Sequence, residues 1–216
     1  MLDNGWVVAA PADVGLDGAR LSGLDVFLRQ WPKRPAGVFF NYSGGATTLL
    51  GAALAKAVGQ RIDAYAKEKL FEPLGITDVE WLNFAGSAEI ATFAGLRLRP
   101  RDLAKLGQLV ADAGRWNGRQ IIPARWIAES TAPRLNVDGR EALYYGYHWW
   151  LGRSLLNGHD LAWTAGFGSG GQRLFIVPRL DLVVVVNAFE SRRSIPVTIL
   201  NRFVLPAVTD FPPPSA

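Results

Sequence analysis

Five consecutive apolar residues, Leu182-Val183-Val184-Val185-Val186, constrain this chain most. The run is strand-length and β-branched, which predicts a central strand covered on both faces. Pro178-Arg179-Leu180-Asp181 precedes it as a hairpin loop and joins it to the alternating stretch Gln172–Val177. Strand character begins at Tyr144: Tyr145–Leu151 is aromatic-rich and Asp160–Ala165 is short. A final helix over about Ser194–Val208 is expected to close on this sheet, with Pro196 tolerated in its first turn.

Upstream the apolar period is helical. Leu21, Leu24, Phe27 and Leu28 mark one face of a helix that opens at Asp17-Gly18-Ala19-Arg20 and closes at Trp31-Pro32. A second helix is predicted from Ala46 to Val58, where Leu49, Leu50, Ala53, Leu54 and Ala57 share a face and Gly59 stands at the C-cap. A third covers Ile62–Phe71 and stops at Pro73 and Gly75; a fourth covers Arg101–Ala113 and ends at Gly114. Trp116-Asn117-Gly118-Arg119 is a turn, and Pro123 suits the first turn of a short helix reaching Ser130. Helices followed by an antiparallel sheet and a closing helix define an α+β fold. The expected layout is one domain over residues 1–216: an N-terminal helix in 1–32, a helical lobe in 38–140, and the sheet with its closing helix in 144–208.

Composition removes several function classes. Hydrophobic residues make up 49% and charged residues 19%, which implies a packed core and confines disorder to the Pro-rich end, Phe211–Ala216. No apolar run reaches the ~20 residues of a membrane helix. The net charge of +4 rests on scattered arginines, densest at Arg97, Arg99 and Arg101, with no basic stripe, so nucleic acid is not an expected partner. Cysteine is absent and the two histidines are isolated, so neither a metal site nor a cofactor is expected. Met1–Gly5 has no basic n-region or apolar h-region, so no signal peptide is expected here: the protein is cytoplasmic as written, or a leader has been removed.

Three blocks carry chemistry. Asn41-Tyr42-Ser43-Gly44 stands in a loop directly before a helix, and Leu70-Phe71-Glu72-Pro73-Leu74-Gly75-Ile76-Thr77-Asp78 follows. Gly95–Ala104, Gly114–Gly118 with Ile122-Pro123, and Tyr144–Trp150 form a second block; Trp163–Gln172 is the third. In this order they resemble the penicillin-recognising serine hydrolases, which include class C β-lactamases, D,D-peptidases and related esterases and amide hydrolases. The opening, Trp6–Leu28 with Gly15-Leu16-Asp17, is similar to that family's beginning.

The resemblance implies a β-lactamase/D,D-peptidase-like antiparallel sheet flanked by helices. It also implies acyl transfer from an ester, amide or lactam to water through an acyl-serine. By the same resemblance Tyr42 corresponds to the catalytic tyrosine, a general base whose phenolate a nearby lysine sustains. An unassisted phenol, with a pKa of about 10, cannot do this at neutral pH. Main-chain groups at Gly166, Phe167 and Gly168 correspond to the oxyanion-hole strand. Ser43, Gly44, Trp149, Trp163, Thr164 and Ala165 would line the substrate pocket.

The departures are as telling as the matches. No serine is followed three residues later by lysine, and Ser-x-x-Lys is the family's nucleophile motif. Only Trp31–Phe40 lies where the family has two strands and the nucleophile's helix. Gly44 stands where the family has an asparagine, and no lysine accompanies Trp163-Thr164, which turns the ancestry from penicillins towards esters and short amides. The expectation is therefore an internally truncated homologue, inactive alone. Alternatives are a non-catalytic binding protein, or a fragment completed by another polypeptide. A sheet edge left open by the shortened N-terminal part would favour a homodimer.

Competing motifs are weaker. Gly166-x-Gly168-x-x-Gly171 matches the dinucleotide fingerprint by letter but leads into a strand, Arg173–Val177, rather than a helix. Ser169 lacks the glycine two residues before it that a nucleophile elbow requires, which leaves a Ser169/His159/Asp160 triad a remote reading. His148 is expected to be packed in an aromatic strand and His159 to sit in an exposed turn.

Overall fold

The sheet is a simple meander, because each strand's alternating residues find partners one hairpin away. The computed structural model describes residues 40–137, 143–156, 158–189 and 195–209. The helix expected over Asp17–Leu28 lies outside them. All fall within the second of two units, Phe40–Ala216.

A short helical lobe comes first. Helix α1 (Gly44–Val58) begins where Ser43 Oγ accepts the N–H of Ala46 and ends at Gly59, whose φ of 69° is the left-handed value of a glycine C-cap. Helix α2 (Ile62–Ala66) relaxes into a π turn over Lys67–Phe71 where one α-helix was expected, and stops before Pro73 as the proline predicts. Strands β1 (Val79–Trp81) and β2 (Leu96–Leu98) pair with each other. Helix α3 (Pro100–Ala111), the small hairpin β3 (Arg115–Trp116) and β4 (Arg119–Gln120), and helix α4 (Ala124–Ser130) follow. Phe71, Leu74, Ile76 and Leu109 form the lobe's buried cluster.

The main sheet has six antiparallel strands in the order β10-β9-β8-β7-β6-β5. These are β5 (Leu135–Asn136), β6 (Leu143–Tyr145), β7 (Trp150–Leu156), β8 (His159–Phe167), β9 (Arg173–Val177) and β10 (Leu182–Val186). The closing helix α5 (Ile195–Ile199) continues through a π turn, Leu200–Val204, and a 3₁₀ turn, Leu205–Ala207. Leu200 and Leu205 pack on Leu161, Trp163, Ala165, Phe175 and Val177 to make the principal core. The Trp163 indole Nε1–H donates to Ser154 Oγ, which donates to Asn201 Oδ1 of the closing helix. The polar edge of a buried indole is thus satisfied.

Two expectations need correction. β10 is not central: among the described residues it is the edge, and β9, buried at every position, occupies the interior. Its faces are nonetheless both engaged. Val184 packs against the principal core, and a Cβ on Gly107 of α3 would meet Val183 at 2.6 Å. A continuous apolar run reports cover on two faces, not the number of strand neighbours. Second, the aromatic segment 145–151 is two strands, broken where His148 adopts a φ of 63°. Gly146 permits the break, because a Cβ there would lie 2.9 Å from the Ala132 carbonyl oxygen. The shared apolar face of α1 is, besides, largely open: Leu49, Leu50 and Leu54 are 40%, 54% and 41% exposed. The helix instead seats Gly51 against Thr92, whose hydroxyl donates to the Thr47 carbonyl.

Candidate active site

Residues 40–43 enter α1 from the sheet side, which lays Tyr42 against the start of β7. The Tyr42 ring stacks on Trp150 at 5.7 Å and 30°, and meets Tyr145 edge-on at 6.2 Å. Phe40 closes the group, 4.9 Å from Tyr145 and 5.5 Å from Trp150. Rings this close pack on one another and leave no gap for a ligand between them. The open space lies beside them: a cavity of about 220 Å³ lined by Phe40, Asn41, Tyr42, Ser43, Tyr145 and His148, with Ala46, Thr47 and Leu50 of α1 as its other wall. Tyr42 remains 59% exposed at this cavity.

The electrostatics of the cavity follow from its lining, which among the described residues contains no lysine or arginine. Tyr145 is half-buried, and its phenol is pushed up to about 12, first by burial and then by the neighbouring Tyr42. Tyr145 is therefore a neutral hydrogen-bonding group near neutral pH and cannot act as a base. Ser43 contributes the lining's single serine hydroxyl, and its Oγ accepts the Ala46 N–H as the cap of α1. His148, expected to be packed, is exposed on the turn and lines the cavity, with its ring 6.5 Å from Tyr145. His159, expected in an exposed turn, begins β8 and is partly buried with Nδ1 3.2 Å from Arg179.

The predicted site residues do not all converge. Tyr42 and Ser43 meet at the cavity. Gly44 opens α1, and a Cβ on it would come within 3.0 Å of the Phe93 ring. The asparagine that the family carries here would require that ring to move. It is Trp150, rather than Trp149, that stacks on Tyr42. Trp163 and Ala165 are core residues, 7% and 0% exposed. Alternation along β8 turns Thr164 to the opposite face, where it borders a second cavity of about 210 Å³. These three therefore do not line the Tyr42 cavity.

At the end of β8 the last pairing with β7 is Ala165 with Trp150. Beyond that ladder Phe167 turns its main-chain groups to the β7 side, while Gly166 turns its own to Leu174 of β9. The Gly168 N–H is already engaged, donating to the Gln172 carbonyl at 2.8 Å, which removes it from the candidate oxyanion donors. The residues that sequence reasoning missed are Trp150, Tyr145 and His148. The dense aromatic block Tyr144–Trp150 was the available signal, read as one strand instead of a strand, a turn and a strand.

An antiparallel sheet carrying a closing helix, preceded by a helical lobe whose first helix follows a tyrosine loop, is the architecture of penicillin-binding proteins and β-lactamases. This chain belongs to the Beta-lactamase family, whose profile matches residues 7–194. It is 26% identical over 99 residues to the 6-aminohexanoate-dimer hydrolase of Paenarthrobacter ureafaciens, an alignment covering 42% of this chain and 24% of the hydrolase. Its fold is similar to a Bacillus anthracis protein provisionally given the same name, with 23% identity and a TM-score of 0.67 over 77% of this chain and 42% of the other. It is similar also to the octameric penicillin-binding protein homologue of Pyrococcus abyssi, with 18% identity and a TM-score of 0.67 over 91% of this chain and 51% of the other. The chain thus spans about a quarter to a half of the length of these relatives.

Proposed function

We propose that this chain is a β-lactamase-family acyl-hydrolase homologue that holds a small ester, amide or lactam-like ligand at the Tyr42 cavity and is inactive on its own. The composition of the cavity carries the reading. Among the described residues that line it there is no lysine, and the one serine among them, Ser43, is occupied in capping α1. An acyl-serine route needs a nucleophile with a base in hydrogen-bond reach, and Ser43 has Ala46 where a Ser-x-x-Lys motif would have lysine. Tyr42 is the residual general base, and the main-chain N–H of Phe167, which alternation turns to the β7 side, is the residual oxyanion donor. With the nucleophile gone nearly all rate is lost, because the remaining groups retain only a small part of it. Incubation with p-nitrophenyl butyrate is expected to release no burst of p-nitrophenolate. A burst that a covalent serine inhibitor abolishes would overturn the reading.

A second reading is favoured by the exposed leucines of α1: a separate polypeptide bearing Ser-x-x-Lys packs there and completes the site. Co-expression that restores ester hydrolysis would support it. Ligand-dependent thermal stabilisation without turnover supports the non-catalytic binding form instead. Among the described residues β10 is an all-apolar edge, free of charge and proline, and such an edge is a template for a second copy. A dimer is therefore expected in light scattering, and a monodisperse monomer would exclude it.

A further inference from the structure

We infer that Arg173 is a positioning residue for Tyr42, acting through a column of three stacked rings. Arg173 opens β9 in register with Phe167, so both side chains project from one face of the sheet. The guanidinium carbon lies 4.7 Å from the centre of the Phe167 ring, and Arg173 is only 5% exposed. Its Nη1 donates to the Gly168 carbonyl at 2.6 Å and to the Gln172 carbonyl at 2.8 Å. Phe167 in turn stacks on Trp150 at 5.3 Å and 20°. Trp150 stacks on Tyr42 at 5.7 Å and 30°. A buried cation, a phenyl, an indole and a phenol therefore follow one another from the interior to the cavity mouth.

Each member has a separate reason to stay where it is, except the last. Phe167 and Trp150 are same-face diagonal neighbours across β7 and β8, the spacing at which large rings reach each other. Tyr42 belongs to no strand and is mostly exposed, so the rings it touches set its orientation. The guanidinium suits the far end because a planar fork can lie flat on a ring while donating in its own plane to carbonyls, which a lysine ammonium cannot do. The same clamp fixes the Gly168 carbonyl, at the end of the strand that carries Gly166 and Phe167. Arg173 thereby couples the two parts of the candidate site.

The bearing of this on function rests on the role given to Tyr42 above, but the test needs neither ligand nor turnover. Protein labelled with 3-fluorotyrosine is compared by ¹⁹F NMR, with the Tyr42 resonance assigned by its loss in Tyr42→Phe. Arg173→Lys keeps the charge and loses the fork. It is expected to move the Tyr42 resonance towards its position in Trp150→Leu, and to add little further shift in the Trp150→Leu background. Phe167→Leu keeps the arginine's hydrogen bonds and is expected to give the same displacement, which covers the case where Arg173→Lys does not fold. An unmoved Tyr42 resonance in folded Arg173→Lys or Phe167→Leu would overturn the proposal. So would a shift that adds in full to that of Trp150→Leu.

Discussion

Gly152→Ala tests whether Trp163 is a fixed part of the core or an adjustable pocket wall. Gly152 pairs directly with Trp163 across β7 and β8, and the benzo ring of the indole lies over it. A Cβ at residue 152 would lie 2.7 Å from Trp163 Cε2 and closer still to Cζ2 and Cη2. The indole has little room to retreat. It meets Phe175 edge-on at 5.6 Å, and its N–H is tied to Ser154 at 3.1 Å. Overpacking of this kind costs about 3 kcal/mol at the upper end of the usual range. Replacing a strand glycine returns about 0.5–1 kcal/mol of backbone entropy. The net loss is about 2 kcal/mol, which for a chain of this size lowers Tm by about 6 °C. Urea unfolding followed by far-UV circular dichroism measures it. In a Trp163→Phe background the clashing atoms are absent, so the same substitution should cost much less. An equal cost in both backgrounds, or a loss below about 0.5 kcal/mol in the parent, the size of an ordinary surface effect, would refute the reasoning.

Two further outcomes are expected. Because the folded-state pKa of Tyr145 is raised to about 12, the folded chain holds that proton more tightly than the unfolded one. Its contribution to stability is complete below the ordinary tyrosine pKa of about 10 and declines as pH rises through about 12; Tyr145→Phe should flatten that limb in urea melts across the interval. Gly114 has a φ of 82°, and a Cβ there would come within 2.9 Å of the Ile122 carbonyl carbon and closer to its oxygen. Gly114→Ala should therefore destabilise by more than about 2 kcal/mol, read as a lower Tm; a change within 1 °C would remove the glycine from the list of required turns.

What could be read in advance depended on whether the signal was local. The hairpin Gln172–Leu182, helix α3 and the glycine stops at residues 59, 75 and 114 are written in short-range period and turn chemistry, and they were legible. The position of β10 was not, because Leu182–Val186 looks the same at an edge as in the middle when helices cover both faces. The turn at His148 was hidden by aromatic density, which favours strand at every residue except the one that must adopt a left-handed φ. Tyr42 and Ser43 were named from the resemblance of Asn41–Gly44 to the family's tyrosine block, and both line the cavity. Trp150 was not distinguishable from Trp149, since choosing between them needs the register that pairs Trp150 with Ala165. Trp163, Thr164 and Ala165 were placed in the pocket because motif letters say nothing about which face of a strand each side chain takes.

The meander order of the sheet has a kinetic consequence. Each pair, from β5–β6 through β9–β10, joins strands adjacent in sequence, so its loops close cheaply and the mean sequence separation of its contacts is short. Such a sheet can zip hairpin by hairpin from β5 to β10, each new strand adding to the edge its predecessor has just presented.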